Sequence, residues 1–156
     1  MKEGIGGTFN LTLLFFFILL VSGFALFATN YYRAFNVKNN LITLTEKYEA
    51  NFGNGKFKEK RSSLVNEMSY NIDSNQVSRA QSNGWECPSN EGWCYKMNEN
   101  DKKFAFKRKE TSYYYCTYTI KTFVSTDIPV INRIFQETSF FEVNGKTKSI
   151  IRRGGC

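Results

Sequence analysis

The sequence predicts an α+β fold in which a long N-terminal helix packs on a C-terminal antiparallel β-sheet. Three observations predict it. An uncharged stretch runs from Gly4 to Tyr32, and its most apolar part, residues 11–27, reads LTLLFFFILLVSGFALF. Apolar residues at helical spacing follow it. From residue 85 the chain is instead rich in the β-branched and aromatic residues that favour strands. A chain of 156 residues has room for one such domain.

The apolar stretch is long enough to cross a membrane, because about 20 apolar residues in a helix span the bilayer core. A cleaved secretory signal is an alternative, but its apolar region is usually only about 7–15 residues long. A buried core helix is a third interpretation, and it normally shows a polar face that this stretch lacks. We therefore expect a short leader over 1–8 and a transmembrane helix over 9–29.

An amphipathic extension of the same helix is predicted over residues 30–55. Its apolar residues recur every three or four positions: Ala34, Val37, Leu41, Leu44, Tyr48 and Phe52. The helix is expected to run from about Thr8 to Phe52 and to end at Asn51–Gly55, where Asn and Gly favour left-handed caps. The stripe either packs against its own domain, the more frequent outcome, or is shared with neighbouring copies in a helical bundle.

Residues 56–156 are predicted to form an α+β head. The basic patch Lys56–Arg61 is interpreted as a solvated loop. A short helix should follow, with Ser62 or Ser63 as its cap. Its apolar positions at helical spacing are Leu64, Val65, Met68 and Ile72.

Strands are predicted over 93–97, 103–109, 112–125 and 139–144. Phe104 and Phe106 alternate with more polar neighbours, as in a half-buried strand. The pair Asn144-Gly145 predicts a hairpin turn that joins Ser139–Val143 to Lys146–Arg152. A short helix is expected over Asp127–Phe135. These elements indicate one antiparallel sheet of three to five strands, packed against the helices.

The chain has four cysteines, Cys87, Cys94, Cys116 and Cys156, which allow three pairings. We favour Cys87–Cys94, because residues 85–94 resemble two short arms around a turn, and this leaves Cys116 with Cys156. Free buried thiols are the alternative. Disulfides form outside the cytoplasm, so they predict an extracellular head. The cations that follow the apolar run slightly favour the opposite orientation, but long domains translocate largely regardless of charge.

Nothing in the sequence indicates catalysis. The absence of His removes Ser-His-Asp triads, Cys-His pairs and His-ligated metal sites. Neither a phosphate-binding glycine loop nor a Cys-x-x-Cys motif is present. The charge of +7 is diffuse and accompanies no nucleic-acid-binding motif. We therefore expect a non-enzymatic protein without cofactor, metal or nucleic-acid partner.

The order of these features resembles the type IV pilin-like proteins, and more narrowly the TadE-like minor pilins or pseudopilins of Tad (Flp) pilus systems. The segments that carry the resemblance are KEGIGGTF at 2–9, YRAFNVKN at 32–39, YTIKTF at 118–123, DIPVIN at 127–132 and VNGKT at 143–147. The resemblance implies that a prepilin peptidase cuts after Gly4 and leaves Ile5 as the new terminus. Phe9 then occupies the fifth mature position, where the family often has Glu.

The resemblance also implies the partners: membrane lipid, other pilin-like subunits and pilus assembly proteins. The helix would pack with those subunits through apolar and small positions. These are Leu11, Leu14, Phe17, Val21, Gly23, Ala25 and Ala28. Two alternatives remain. The first is a single-pass cell-surface protein that binds a ligand through an aromatic head without assembling, suggested by Tyr113, Tyr114, Tyr115 and Tyr118. A secreted enzyme is the least favoured.

Overall fold

The computed structural model describes residues 2–67, 74–88, 91–124 and 141–156. Its helices are α1 (Lys2–Lys47), α2 (Gly55–Glu67) and α3 (Ser74–Ser82), with a 3-10 turn at Glu99–Asp101. Its strands are β1 (Trp93–Met97), β2 (Lys103–Arg108), β3 (Thr111–Cys116), β4 (Tyr118–Val124), β5 (Phe141–Lys146) and β6 (Ile150–Arg153). The predicted helix over Asp127–Phe135 lies outside the described residues.

The strands form two antiparallel sheets of three strands each, ordered β1-β4-β5 and β2-β3-β6. The α+β prediction is confirmed, since the long apolar helix packs against antiparallel β structure. The prediction of a single sheet is wrong. The segment predicted as one long strand breaks at Thr117, and its two parts, β3 and β4, enter different sheets.

The first sheet, β1-β4-β5, lies between two helical layers, so side chains on both faces of β4 are buried. Ile120 and Val124 pack against α1 in the main core cluster, together with Trp93 of β1 and Phe57 of α2. On the opposite face, Phe123 packs against α3. Burial on both faces explains why even the polar residues Lys121 and Thr122 are buried and why β4 ends on two consecutive apolar residues, Phe123 and Val124.

The break at Thr117 is fixed by a polar cluster. The Thr117 hydroxyl donates to Asp101 Oδ2 at 2.8 Å, and the Asn98 backbone N–H donates to the Thr117 carbonyl at 2.9 Å. Asp101 also forms an ion pair with Lys146. The hydrogen bonds from Lys146 and Thr117 hold the pKa of Asp101 below its usual value. These partners are distant in sequence, so the strand pattern alone does not reveal the corner.

The hairpin predicted at Asn144-Gly145 is wrong. Both residues lie inside β5 and pair with β4, and β5 and β6 belong to different sheets. A Cβ atom at Gly145 would lie 2.6 Å from Ile42 Cδ1 and 2.9 Å from Lys38 Cδ, both on α1. Glycine is needed here because the helix crosses close to the strand, not because the chain turns.

Helix α1 ends at Lys47, before the predicted Asn51–Gly55 stop, and begins at Lys2 rather than near Thr8. The Ala50 N–H donates to the Thr45 carbonyl at 2.8 Å, and the Glu49 N–H donates to the Glu46 carbonyl at 3.2 Å. This pair of bonds is a Schellman motif. Its left-handed position is Glu49, at φ 50°, and the next residue, Ala50, is also left-handed, at φ 53°. Glycine is the usual residue in this conformation. Neither residue is a glycine, so local sequence does not indicate this helix end.

Three further predictions in the head are wrong. The basic patch Lys56–Arg61 is helical and belongs to α2, whose cap is Asn54: its Oδ1 accepts the Lys56 N–H at 2.9 Å. Ser62 and Ser63 therefore lie inside the helix, and Met68 and Ile72 lie outside the described residues. In β2, Phe104 and Phe106 are 59% and 43% exposed, so the strand is not half-buried.

Candidate membrane and assembly helix

Helix α1 has 46 residues without interruption. At 1.5 Å per residue it is about 69 Å long. We call residues 9–29 its lower half and residues 30–47 its upper half. The helix is long and apolar enough to span a membrane, with a mean hydropathy of 2.6 in its most apolar window.

The lower half is not covered by the described part of the head. Its large apolar side chains from Phe9 to Leu26 are 52–72% exposed and point in all directions around the helix. A core helix would bury such side chains, whereas the described part of the head buries none of them. In water, so large an apolar surface is unfavourable, whereas each Leu, Ile, Phe or Val at the centre of a bilayer helix contributes about −0.3 to −0.6 kcal/mol.

The residues that the resemblance assigns to assembly all lie on this uncovered surface. Leu11, Leu14, Phe17 and Val21 are 53–63% exposed. Ala25 and Ala28 are also exposed. A Cβ atom added at Gly23 would meet no heavy atom within 4 Å. Small residues at such positions leave room for a neighbouring helix to approach closely. Gly4 and Ile5 lie in the first turns of α1.

The upper half is amphipathic, and its apolar stripe packs against its own head. Ala34, Val37 and Leu41 are fully buried against β4, β5 and α2. Leu44 is partly buried at the edge of the same cluster. The Thr122 hydroxyl of β4 donates to the Ala34 carbonyl at 2.9 Å, which fixes the position of the helix along the strand.

Tyr48 and Phe52 continue the stripe after the helix has ended. Phe52 is the centre of an aromatic cluster, stacked on Tyr95 at 3.8 Å between ring centroids and edge-on to Phe57 at 5.5 Å. Tyr48 meets the same Phe57 ring at 6.0 Å. Burial, and then the hydrogen bond from the Tyr95 hydroxyl to Glu86, raise the pKa of Tyr95.

Polar contacts hold the end of α1 against β6 and the residues just before it. The Glu46 carboxylate accepts the backbone N–H of Lys148 at 2.8 Å, and Arg152 donates to the Ala50 carbonyl at 2.9 Å. Nearer the middle, Lys38 is almost buried and its ammonium group lies 4.1 Å from the centre of the Phe35 ring. Desolvation lowers the pKa of Lys38. The upper half is therefore fixed to the head along its whole length.

Aromatic side chains mark the boundary between the two halves. The Phe27 ring lies 4.9 Å from that of Phe141, the first residue of β5, and 6.3 Å from Tyr31. Tyr32 is 65% exposed. Aromatic residues concentrate where lipid meets water. Phe141 comes from β5, so the head as well as the helix contributes an aromatic ring at this level.

The structure contains two disulfides, Cys87–Cys94 and Cys116–Cys156, the pairs favoured from the sequence. The first lies beside α3 at the base of β1. The second joins the final residue to the end of β3, and it closes a loop of 40 residues in sequence separation. Among the described residues no group of three or more His, Cys, Asp or Glu side chains is placed to hold a metal ion.

Comparison with protein-family models, with curated proteins and with solved structures finds no match for this chain. Function is therefore argued from the helix and the head alone.

Proposed function

We propose that this protein is a non-enzymatic, membrane-anchored, pilin-like subunit of a Tad-type pilus or a related secretion or adhesion machine. It assembles through the lower half of α1 and carries its head outside the cell. The observation that carries the proposal is one unbroken helix with an apolar lower half exposed on every side and an upper half fixed to a folded head.

A simple membrane tether does not need such a helix. A flexible linker between anchor and head would suffice, whereas here the helix crosses the boundary at Phe27 and Tyr31 without a break. A rigid connection transmits the position of the helix to the head. This is useful when many copies pack helix against helix and each head must take a defined place.

The two disulfides support the extracellular placement of the head, because they persist in oxidising compartments and are rare in the cytosol. One staples the final residue to β3, and the other closes the segment between α3 and β1, so both secure chain segments outside the main core.

The intact mass of the mature protein, purified from its own host without reducing agent, tests processing and disulfides together. We expect a chain that starts at Ile5, having lost Met1–Gly4, and that lacks two hydrogens for each disulfide. A full-length chain would contradict prepilin-type processing. A chain that starts beyond Ser22 would contradict the anchor itself.

Assembly is tested by Gly23→Leu combined with Ala28→Leu. The structure leaves open space at Gly23, so these changes do not disturb the single chain. They do block the close approach of a second helix. We expect normal amounts in the membrane and a loss from filaments sheared off the cell surface. Phe24→Leu, at an equally exposed apolar position, is the matched control and should assemble normally.

A single-pass surface binding protein that does not assemble is the second candidate. The observation that favours it is the second sheet, β2-β3-β6, one face of which exposes aromatic side chains. It predicts an intact N-terminus, a monomer in the membrane, and no effect of Gly23→Leu on surface display.

A further inference from the structure

One face of the second sheet carries aromatic and cationic side chains that stay partly or fully exposed. We call it the outer face and define it by Lys103, Phe106, Tyr113, Tyr115, Ile151 and Arg153. The opposite face of the same strands carries Cys116 and Ile150, which are buried in a core cluster. The inner face packs on the rest of the head at Cys116, Ile150 and, in part, Tyr114, whereas its β2 position Phe104 is 59% exposed.

A register shift in β2 decides which side chains share the outer face. Phe104 pairs with Tyr114, but Phe106 pairs with Tyr113, so Ala105 is an extra residue. Directly opposed residues of antiparallel strands point to the same face, and neighbours along a strand point to opposite faces. Phe106 thus lies on the outer face and Phe104 on the inner face, against the simple alternation of the sequence.

The outer face has an aromatic centre. The rings of Phe106 and Tyr113 stack at 4.7 Å, with an angle of 17° between their planes. Phe106, Tyr115 and Ile151 remain 38–43% exposed. Exposed apolar clusters with a polar rim mark binding surfaces. The tyrosines add hydroxyl groups for hydrogen bonds at the edge of the apolar area.

The rim of this face is positively charged. Lys103 and Arg153 flank the aromatic rows, and Arg108 occupies the next row of β2. All strand positions of the outer face are among the described residues, and none of them is an Asp or Glu. A ligand that fits this rim carries negative charge.

An open cavity of about 380 Å³ adjoins the outer face at the β6 edge. It lies within the ~300–1,000 Å³ range of ligand clefts. Its lining combines Lys47, Arg152 and Arg153 with the amides of Asn51 and Asn54. Glu49 is the single carboxylate among its lining residues, so the cavity continues the positive rim.

We propose that the outer face and this cavity bind an acidic polysaccharide, a chain of sugar rings that carries carboxylate groups. The C–H faces of sugar rings lie against aromatic side chains, their hydroxyls match Tyr and Asn, and their carboxylates pair with Arg and Lys. The proposal goes beyond the anchoring and assembly role and does not depend on it, since no residue of the lower half takes part.

The size of the surface argues against a folded protein as the ligand. Three strands at about 4.8 Å spacing and five residues at about 3.4 Å rise cover a flat area of about 250 Å². A stable protein interface buries about 800 Å² on each partner. A second copy of this chain is also disfavoured, because its outer face would bring the same cations against each other. A narrow, extended, negatively charged polymer needs only a small contact area and is attracted by the cations of the outer face.

The test uses the full-length chain in nanodiscs of zwitterionic phosphatidylcholine, so that the bilayer supplies no anionic competitor. Biolayer interferometry measures binding of oligogalacturonate, a linear sugar polymer with one carboxylate per ring. We expect saturable binding that weakens as salt rises. Neutral dextran and poly-L-glutamate, which supply the sugar rings and the carboxylates separately, should each bind at least about tenfold more weakly.

Matched variants separate the two faces of one strand. Phe106→Ala should weaken oligogalacturonate binding by about tenfold, as buried aromatic contacts at interfaces do. Phe104→Ala removes the same side chain from the inner face of the same strand, and it should leave binding within about twofold. Lys103→Gln and Lys107→Gln form the corresponding charge pair, and only the first should reduce binding. Thermal unfolding checks that each variant is folded.

Several results would overturn the proposal. They are absence of oligogalacturonate binding, equally strong binding of poly-L-glutamate, tighter binding of duplex DNA, and an equal loss with Phe104→Ala. Failure here leaves the anchoring proposal untouched, because the assay contains single chains and no filament. Conversely, a chain that fails to assemble in the cell can still bind the polysaccharide in nanodiscs.

Discussion

The two halves of α1 belong to one helix but are stabilised by different surroundings. In the lower half, apolar side chains point in every direction and the described head covers none of the large ones before Phe27. In the upper half, Ala34, Val37 and Leu41 form one buried stripe, and Asn39, Asn40 and Thr43 face outward. Apolar periodicity, rather than apolar content alone, therefore distinguishes a helix segment suited to lipid from one that packs on protein.

Of the substitutions considered, charged residues in the lower half should have the largest free-energy cost, because they weaken the insertion of the helix in the membrane. An Arg at the centre of a membrane helix costs about 2.5–3.5 kcal/mol, so Leu14→Arg with Phe17→Arg costs about 5–7 kcal/mol. We expect the chain to be lost from the membrane fraction after carbonate extraction. The free energy of unfolding of the head should not change, because neither side chain touches it.

The matched control is Leu14→Val with Phe17→Leu, which keeps both positions apolar and should keep the chain in the membrane. If the Arg variant stays in the membrane as firmly as this control, the lower half is not the anchor. If instead it unfolds the head, the lower half packs on protein after all.

Truncation of a buried side chain in the upper half should lower the free energy of unfolding of the head and leave membrane association unchanged. Leu41 is fully buried between β4, β5 and α2. Leu41→Ala should lower the free energy of unfolding by about 2–5 kcal/mol, because it removes apolar contacts and leaves a cavity. Membrane extraction should be unchanged. Denaturation in detergent is followed by the fluorescence of Trp93, which packs in the same cluster.

Leu14→Ala is the matched change in the lower half. Leu14 is 58% exposed, so its truncation should alter the unfolding free energy by no more than about 0.5 kcal/mol. Equal losses in the two variants would mean that the two halves do not differ as described.

The sequence predicted the parts of this contrast that depend on local pattern. Local composition and residue spacing predict three features: the apolar length of the lower half, the apolar stripe of the upper half and strand β1. The corner at Thr117 depends instead on Asn98 and Asp101, which come from another segment of the chain. The two faces of β2 depend on a register shift at Ala105, which reverses the simple alternation.

Glycine was the most misleading signal. Gly145 was interpreted as a turn residue, but its role is to let α1 approach β5. At the end of α1 the reverse holds, since the left-handed positions are occupied by Glu49 and Ala50 and the Asn-Gly segment follows later. In both places tertiary packing, rather than local propensity, decides the conformation.

Gly145→Val tests the close crossing of the upper half over β5. The new side chain would collide with Ile42 and Lys38. We expect a loss of about 1–3 kcal/mol in the free energy of unfolding, the usual cost of overpacking. Membrane extraction should not change, because the lower half is unaffected.

Asn144→Ala is the control for this change. Asn144 is exposed within β5, so its truncation should cost no more than about 0.5 kcal/mol. In a hairpin turn both residues would matter, and a large loss with Asn144→Ala would restore the turn interpretation.

Among the substitutions expected to alter the free energy of unfolding, Glu49→Gly should change it least. It should raise this free energy, whereas Leu41→Ala and Gly145→Val lower it. A left-handed conformation costs a non-glycine residue about 1–2 kcal/mol. Glycine also gains freedom in the unfolded chain, which offsets about 0.4–1 kcal/mol of that benefit. We therefore expect a net stabilisation of about 0.5 kcal/mol, measured as a higher midpoint of chemical denaturation. Lys47→Gly, two residues earlier and still helical, should instead destabilise the head by about 0.5–1 kcal/mol. If both changes destabilise, the helix does not end in a Schellman motif, and the upper half continues past Lys47 toward Phe52.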